Sequence, residues 1–549
     1  MTTVDKLTER TGQIAIDPSS QSAATKPITA FSLSFQTRLD QIYKSLTESV
    51  SSNFIKDIQR DAHDAGSADP LSSLAAFHAY MASPLASALR PASQPDASAP
   101  ITDYFISSSH NTYLTGNQLY SDAAATAYSD ALLAGCRCVE IDPKVLHGHT
   151  LTKGTTFREV CYAIRDSAFV VSDLPVIVSL EVHASLEQQE TMVEIMEDAF
   201  KGLLIEITPE MEAMETVPPL KDLKRKILVK VKWVPPTDEG QEDEEDRTDD
   251  LEQLAQTDST QSASQAPQRP AKILRSLSRH AVFTKGFSFR QFSQPEAKVP
   301  GHVFSLSERA ARQADEKYGN ALFEHNRKYF MRVYPYGLRV NSSNLDPTFF
   351  WRRGAQIVAL NWQNSDKGMM LNQGMFAGEE GWILKPQGYR STEPENAPIT
   401  RRTVDLSIEF LAGQDLALPP GDTNEKGFKP YVSCYLHVET PDDAPNPKGD
   451  DSTDSEKTSY KREIKSAEGV NPDFGGQTIQ FPTLTGVVEE LTFVRFKVKD
   501  NEIGLDSLAS WACIRLTRLQ EGYRVIRFYK CDGSDSGGFI LVRITKTIS

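Results

Sequence analysis

Between residues 101 and 233, short apolar runs alternate with amphipathic segments. Runs at Tyr104–Ile106, Cys136–Ile141, Val176–Val182 and Ile227–Trp233 predict strands, and the spacing over Asp122–Leu133, Phe157–Ser167 and Leu186–Leu204 predicts helices. The alternation resumes after residue 270, with a helix over Ser307–His325 and strands at Tyr329–Tyr334, Gln356–Trp362 and Gly381–Leu384. One more strand is expected at or just before His147. Strands alternating with helices imply a parallel sheet, and a total of about eight implies a (β/α)8 barrel.

On either side the pattern changes. Residues 1–30 are rich in Ser, Thr and Ala and predict a disordered tail. Over 31–90 the spacing is helical, with Phe35, Leu39, Ile42, Tyr43 and Leu46 on one face, and no D-x-[DN]-x-[DN]-G calcium loop occurs there. Residues 235–268 hold an acidic block, TDEGQEDEEDRTDDLEQ, followed by a Gln/Ser/Thr run. Such a stretch repels itself and cannot build a core, so it reads as a disordered linker between the barrel halves 101–234 and 269–390. From 400 to 549 short strands occur without helices, at Val404–Phe410, Tyr431–Val438, Leu491–Val498, Trp511–Leu516, Arg524–Phe528 and Phe539–Ile544, predicting a β-sandwich.

Composition narrows the function classes. The 549 residues carry a net charge of −15, which argues against broad nucleic-acid binding. No apolar run approaches the ~18 residues of a spanning helix, and MTTVDKLTER has no apolar signal region. Six cysteines in so long a chain are no disulfide framework, and the expectation is a reducing, cytosolic setting.

Candidate chemistry lies at the ends of the predicted strands. YFISSSHN places three serines, His110 and Asn111 after an apolar start, and buried polar groups are costly unless they serve something. Residues i and i+2 of a strand share a face. CVEID therefore pairs Glu140 with Asp142, VSLE pairs Ser179 with Glu181, VKVK pairs Lys230 with Lys232, and MRVY pairs Arg332 with Tyr334. Several such pairs, in strands that otherwise read as buried, point to one polar site at the barrel mouth. Asn111, Glu140, Asp142 and Glu181 are hard oxygen donors suited to Ca²⁺ or Mg²⁺. Lys230, Lys232, Arg332 and Ser305 suit phosphate, and Tyr334 offers a ring for stacking. His110 and His147 are candidates for proton transfer near neutral pH. A cation site, phosphate binders and two histidines together point to phosphodiester cleavage.

The segments SSSHNTYLTGNQL, AGCRCVEID, HGHTLT, FREVCYAIRDSAF, PVIVSLEVH, LKRKILVKVK and RVYPYGLRVNSSN together resemble eukaryotic phosphoinositide-specific phospholipase C, delta-like and without a pleckstrin-homology domain. The resemblance covers 101–386, with the acidic block as the linker between the two catalytic halves. It implies an EF-hand-like lobe over 31–90 and a C2-type lipid-binding sandwich at the end. It implies calcium-dependent hydrolysis of phosphatidylinositol 4,5-bisphosphate to inositol trisphosphate and diacylglycerol through a cyclic phosphate. Asn111, Glu140, Asp142 and Glu181 would hold one Ca²⁺, with Glu181 or Glu140 as base for the inositol 2-hydroxyl. His110 would stabilise the transition-state charge, and His147 would protonate the leaving diacylglycerol oxygen. Lys230, Lys232, Ser305 and Arg332 would bind the ring phosphates, with Tyr334 against the ring. The implied setting is a monomer at the cytosolic membrane surface, with phosphoinositide lipid as partner, no nucleic acid and an unspecified upstream activator.

Two departures stand out. The family has a longer segment with a Trp-Asp-Gly turn after the position of Asp142, whereas only Pro143–Leu146 separates Asp142 from His147 here. Four residues reach at most about 14 Å, which leaves little room for a reversal and a strand. The alternative this raises is a catalytically impaired phosphoinositide-binding scaffold. In the sandwich, Lys429 stands before Pro430-Tyr431 where such domains often have Asp, and Asp415, Asp422 and Asp500 are expected to be ordinary loop acids.

Overall fold

The computed structural model describes residues 28–48, 53–61, 69–118, 123–142, 155–212, 214–234, 273–439, 459–502 and 504–549. His147 and the expected linker at 235–268 lie outside these residues, as does residues 1–27 of the expected tail. The chain divides into two compact units, one containing residues 95–369 and 379–397 and the other 28–94, 370–378 and 398–549.

In the first unit, β1 (Tyr104–Ser109), β2 (Cys138–Ile141), β3 (Val176–Leu180), β4 (Ile227–Lys232), β5 (Lys285–Phe287), β6 (His302–Ser307), β7 (Phe330–Tyr334) and β8 (Ile357–Leu360) pair in parallel in chain order. Pairing of β1 with both β2 and β8 closes the ring. This is the predicted eight-stranded barrel, built from a partly different set of strands. β9 (Trp382–Leu384) runs antiparallel on β1 and is not a barrel stave, contrary to expectation. The places are taken by β5 and β6, which were not predicted. Each has polar residues within or beside a short apolar core, such as Lys285-Gly286 and His302, Ser305 and Ser307, so neither forms an apolar run. The helix predicted over Ser307–His325 is two helices, Glu308–Tyr318 and Asn320–Lys328, because Gly319 between them adopts φ 51°.

The two-residue strand period stacks the barrel interior in layers. Ile106, Cys138, Ile177, Leu228, Val303, Phe330 and Ile357 belong to one buried apolar cluster. Two residues further along the same faces come Ser108, Glu140, Ser179, Lys230, Ser305, Arg332 and Ala359. Two further still come His110, Asp142, Glu181, Lys232, Ser307, Tyr334 and Asn361. The register Glu140↔Ser179↔Lys230 and Ser305↔Arg332 holds the middle layer level. The core thus becomes polar toward the C-terminal ends of the strands.

The second unit is an antiparallel sandwich with sheet order β12-β11-β15-β16-β17-β18-β10-β13, where β14 also pairs β10. These are β10 (Arg402–Gln414), β11 (Pro430–His437), β12 (Ser459–Glu463), β13 (Asp473–Gln480), β14 (Leu484–Val487), β15 (Phe493–Asp500), β16 (Leu508–Arg515), β17 (Gly522–Lys530) and β18 (Asp535–Ile548). One cluster, including Leu406, Ile408, Val432, Phe496, Ile526 and Val542, fills the space between its two layers. The outer face of β10, β17 and β18 is covered too. Phe35, Leu39, Phe54 and Phe77 from the helical segments Leu33–Glu48, Phe54–Ile58 and Leu74–Ala82 pack on Leu411, Tyr523, Val525 and Phe539.

Candidate active site

Two of the three serines of β1 have their hydroxyls tied up locally. Ser108 Oγ donates to the Ile106 carbonyl at 2.7 Å, and Ser109 Oγ accepts from Thr112 Oγ1 at 2.9 Å. Thr112 Oγ1 in turn accepts the Glu140 amide at 3.0 Å, tying the end of β1 to β2. Asn111 adopts φ 42°, a left-handed conformation that Asn tolerates better than most residues. In that turn its backbone N–H donates to Glu140 Oε2 at 2.9 Å.

Glu140 is the centre of the middle layer. Its Oε1 lies 2.5 Å from Arg332 Nη2, and both side chains are buried. The approach lacks hydrogen-bond geometry, so Arg332 Nε and Nη2 remain without hydrogen-bond partners, as do the buried hydroxyls of Ser179 and Ser305. Burial opposes the charge on Arg332, but Glu140 together with Cys138, Tyr334 and Glu181 outweighs it, so the guanidinium is held above its ordinary pKa. Lys230 shares this interior. Burial, reinforced by Arg332, pushes its ammonium down to about 8.

The upper layer is more open. Glu181 follows β3, its amide donating to the Ile141 carbonyl at 3.0 Å, and its side chain is 54% exposed. His183 Nε2 lies 3.0 Å from Glu181 Oε1, and that hydrogen bond is the main reason the carboxyl is pulled down to about 2. His110 stacks parallel to Tyr334 with centroids 6.1 Å apart, and its Nδ1 meets Asn361 Oδ1 at 3.0 Å. Burial pushes the His110 imidazole down, while Glu140 and Arg332 pull it in opposite directions. Asp142 and Lys232 lie at the ends of their strands, partly buried.

The structure therefore brings His110, Asn111, Glu140, Glu181, Lys230, Arg332 and Tyr334 to one mouth, with Asp142, Lys232 and Ser305 on the strands that form it. His147 lies outside the described residues. An amide oxygen and three carboxylates are a donor set that fits a hard divalent cation. Among the described residues their acidic groups do not gather as closely as Asp422, Asp500 and Glu502 of the sandwich, whose ligand atoms lie within 4.8 Å of one another. In the mouth the charges are instead answered by Arg332 and His183. The sandwich trio includes two of the three acids expected to be ordinary; Asp415 is not in it.

Sequence reasoning missed His183, Gln118, Ser342 and Asn361. Gln118 accepts from Asn111 Nδ2 at 2.9 Å, and its own Nε2 reaches Ser342 Oγ at 2.8 Å and Asn361 Oδ1 at 3.3 Å. The available signals were the i, i+2 steps from Glu181 to His183 and from Ala359 to Asn361. Gln118 and Ser342 lie in loops whose convergence depends on β1 and β8 being neighbours.

Residues 97–233 match the X domain of phosphatidylinositol-specific phospholipase C, and residues 277–388 match its Y domain. The chain is 38% identical over 471 residues to human 1-phosphatidylinositol 4,5-bisphosphate phosphodiesterase delta-3, covering 82% of this chain and 57% of that protein. It is 36% identical over 510 residues to human delta-4, covering 86% and 64%. A Candida albicans relative, 1-phosphatidylinositol 4,5-bisphosphate phosphodiesterase 1, is 33% identical and covers 78% and 45%. The chain thus spans roughly half to two thirds of the length of these relatives. The solved structure of PLC21 from S. officinalis superposes with a TM-score of 0.70 at 22% identity over 93% of this chain and 68% of that one, a likeness of fold. With the X and Y domains matched in order around the two halves of one barrel, and delta-type relatives aligned over most of its length, the chain belongs to the eukaryotic phosphatidylinositol-specific phospholipase C family, of the delta type.

Proposed function

We propose that the protein is a calcium-dependent phospholipase C that hydrolyses phosphatidylinositol 4,5-bisphosphate to inositol trisphosphate and diacylglycerol through a cyclic phosphate. The observation that carries this reading is the unanswered donor capacity of the buried mouth. Arg332 Nε, Ser179 Oγ and Ser305 Oγ have no hydrogen-bond partners, and Lys230 lies in the same layer. Leaving buried donors unmade costs about 1–3 kcal/mol each, so the mouth is built for a polar, anionic occupant. The names of the relatives supply the substrate class.

Arg332, Lys230, Lys232 and Ser305 bind the ring phosphates, and Tyr334 lies against the ring. Asn111, Glu140, Asp142 and Glu181 hold Ca²⁺, which when bound lowers the pKa of the inositol 2-hydroxyl. Glu140 or Glu181 takes the proton from that hydroxyl, whose oxygen attacks the 1-phosphorus. His110 stabilises the negative charge that develops on the phosphoryl oxygens. His147 gives a proton to the departing diacylglycerol oxygen, and water then opens the cyclic phosphate. The barrel halves 101–234 and 269–390 carry this chemistry, flanked by an EF-hand-like region over 31–90 and a C2-type sandwich over 400–549. No helix among the described residues is long and apolar enough to cross a membrane. In this reading the protein works as a peripheral monomer at the inner membrane surface.

The test is release of water-soluble inositol phosphate from vesicles containing the bisphosphate lipid, with calcium and then with a chelator. Calcium-dependent release that disappears in Glu181→Gln is expected. No release from a folded protein that still binds inositol trisphosphate would instead establish a non-catalytic phosphoinositide-binding scaffold.

A further inference from the structure

The hydrogen bonds beneath His110 and Asn111 form one chain whose direction is set by backbone carbonyls. A carbonyl can only accept, so each contact to one identifies its partner as a donor. Ser342 Oγ lies 2.9 Å from the Gly116 carbonyl and must donate its proton there. The same oxygen then accepts from Gln118, which fixes the nitrogen of that side chain at Ser342, 2.8 Å away. Gln118 Oε1 therefore faces Asn111, and Asn111 must meet it with Nδ2, at 2.9 Å. The Asn111 amide is thereby oriented: its nitrogen is consumed inside the protein, and its Oδ1 is left for another partner.

The second branch runs through Asn361, which is buried at the end of β8. Its Nδ2 reaches the Ser343 carbonyl at 3.3 Å, and its backbone N–H donates to Asn344 Oδ1 at 2.6 Å. With the nitrogen committed to a carbonyl, Asn361 Oδ1 is the atom facing His110 Nδ1 at 3.0 Å and Gln118 Nε2 at 3.3 Å. An oxygen with no proton requires Nδ1 to carry one. The neutral imidazole is then the Nδ1–H tautomer, with its lone pair on Nε2.

We propose that Gln118 and Asn361 are positioning residues that set the amide of Asn111 and the tautomer of His110 together, presenting Asn111 Oδ1 as an oxygen ligand and His110 Nε2 as the reactive nitrogen. One side chain, Gln118, touches both branches, so the two settings depend on each other. The inference rests on the proposed roles of Asn111 and His110. Gln118 and Asn361 themselves touch neither cation nor substrate.

The direct test is the protonation pattern of His110 in the calcium-free, full-length protein, read from two-bond nitrogen–proton correlation spectra of histidine-labelled protein and assigned with His110→Asn. A proton on Nδ1 is expected in the wild type; a bare Nδ1 would overturn the proposal without any variant. Asn361→Leu, which removes the acceptor, should give a tautomer mixture, and Asn361→Asp, which keeps it, should restore Nδ1–H. The second readout is the calcium concentration giving half-maximal hydrolysis of soluble inositol 1,2-cyclic phosphate, where membrane docking plays no part. Gln118→Glu keeps the acceptor for Asn111 but loses the donor to Ser342 and Asn361. It should raise that concentration about tenfold or more, the usual cost of disturbing a group that orients a metal ligand. An unchanged calcium requirement in Gln118→Glu, with an unchanged tautomer in Asn361→Leu, would sink the inference while leaving the phospholipase reading intact. A wild type with no hydrolysis would sink that reading, and the spectra would still decide the tautomer.

Discussion

Arg332 and Glu140 meet across the interior of the barrel mouth, with Nη2 at 2.5 Å from the carboxylate and both side chains only 4% exposed. The cation belongs to the set read as phosphate binders and the anion to the set read as metal ligands. In the protein alone the two halves of the site neutralise each other. A phosphate drawing on Arg332 and a cation drawing on Glu140 would each relieve the other of its partner.

Removing one member of this pair leaves a buried charge unanswered. Arg332→Met is expected to cost about 3–5 kcal/mol, since truncating one side of a buried ion pair carries that penalty. The double variant Arg332→Met/Glu140→Gln should recover much of the loss, because no uncompensated charge remains. Urea denaturation of the four proteins in the cycle measures this. A double variant as unstable as the sum of the singles would show that the two residues do not act on each other.

The barrel and the polar mouth were legible because both follow from short-range period. Glu140, Lys230 and Arg332 each sit two residues beyond an apolar position of the same face, and that step is visible in sequence. β5 and β6 were not legible. Their polar positions break up the apolar run, and neighbouring strands of the closed sheet supply their pairing partners. Gln118 escaped for another reason: its meaning depends on contact with Asn361 across 243 residues of sequence, and no local pattern encodes it. Ser108 and Ser109 of β1 misled in the opposite direction. They read as a functional signal but are satisfied by Ile106 and Thr112, a few residues away in the chain.

A pair of histidines below the mouth makes stability depend on acid. His302 Nε2 and His325 Nε2 are 2.7 Å apart, among Phe304, Phe292 and Tyr329. The Val299 carbonyl faces His302 Nδ1 and the Asn326 amide oxygen faces His325 Nδ1, and Lys385 adds positive charge near His325. Burial pushes both imidazoles below their ordinary value, and His302 adds to the effect on His325. Both Nδ1 atoms face oxygens that only accept, so the hydrogen bond between the two Nε2 atoms uses one proton held between the rings, and burial makes the folded pair resist a second. The unfolded chain binds that second proton near pH 6.5, so stability falls as the solution is acidified below that pH, by up to about 1.4 kcal/mol per pH unit. Replacing both histidines, His302→Phe with His325→Phe, should remove this limb between pH 5 and 6.5. Denaturation midpoints across that range check it, and an unaltered slope would exclude the pair as the source.

Gly381 is expected to tolerate no side chain. Its φ is 78°, and a Cβ there would collide with the Gly135 carbonyl oxygen and with Cγ of Arg137. The Gly381 carbonyl also accepts from the Ser107 amide at 2.9 Å, which fixes its peptide against β1. Gly381→Ala combines left-handed strain with overpacking against backbone, and about 2–5 kcal/mol of destabilisation follows. A melting temperature within a degree or two of the wild type would contradict the close approach.

Gln59 clamps the helical segments to the sandwich within the second unit. Its side chain is 1% exposed. Nε2 donates to the Tyr523 carbonyl at 2.7 Å, and Oε1 accepts the Tyr523 amide at 2.6 Å, so one amide mimics a strand partner for β17. Gly522 beside it sits at φ 90°, where a Cβ would strike the Gln59 side chain. Gln59→Leu leaves both backbone groups of Tyr523 buried without partners. At about 1–3 kcal/mol for each, the expected cost is about 2–5 kcal/mol. The apolar contacts of Phe35, Phe54 and Phe77 remain, so the loss should appear as local opening of these helices before global unfolding. Hydrogen exchange measures this: protection should drop first over Leu33–Glu48 and Leu74–Ala82, while β11 and β15 keep theirs. Equal loss across the whole sandwich would mean that helices and sheet unfold as one cooperative unit, and that Gln59 contributes to the global stability of that unit instead of to a separable docking step.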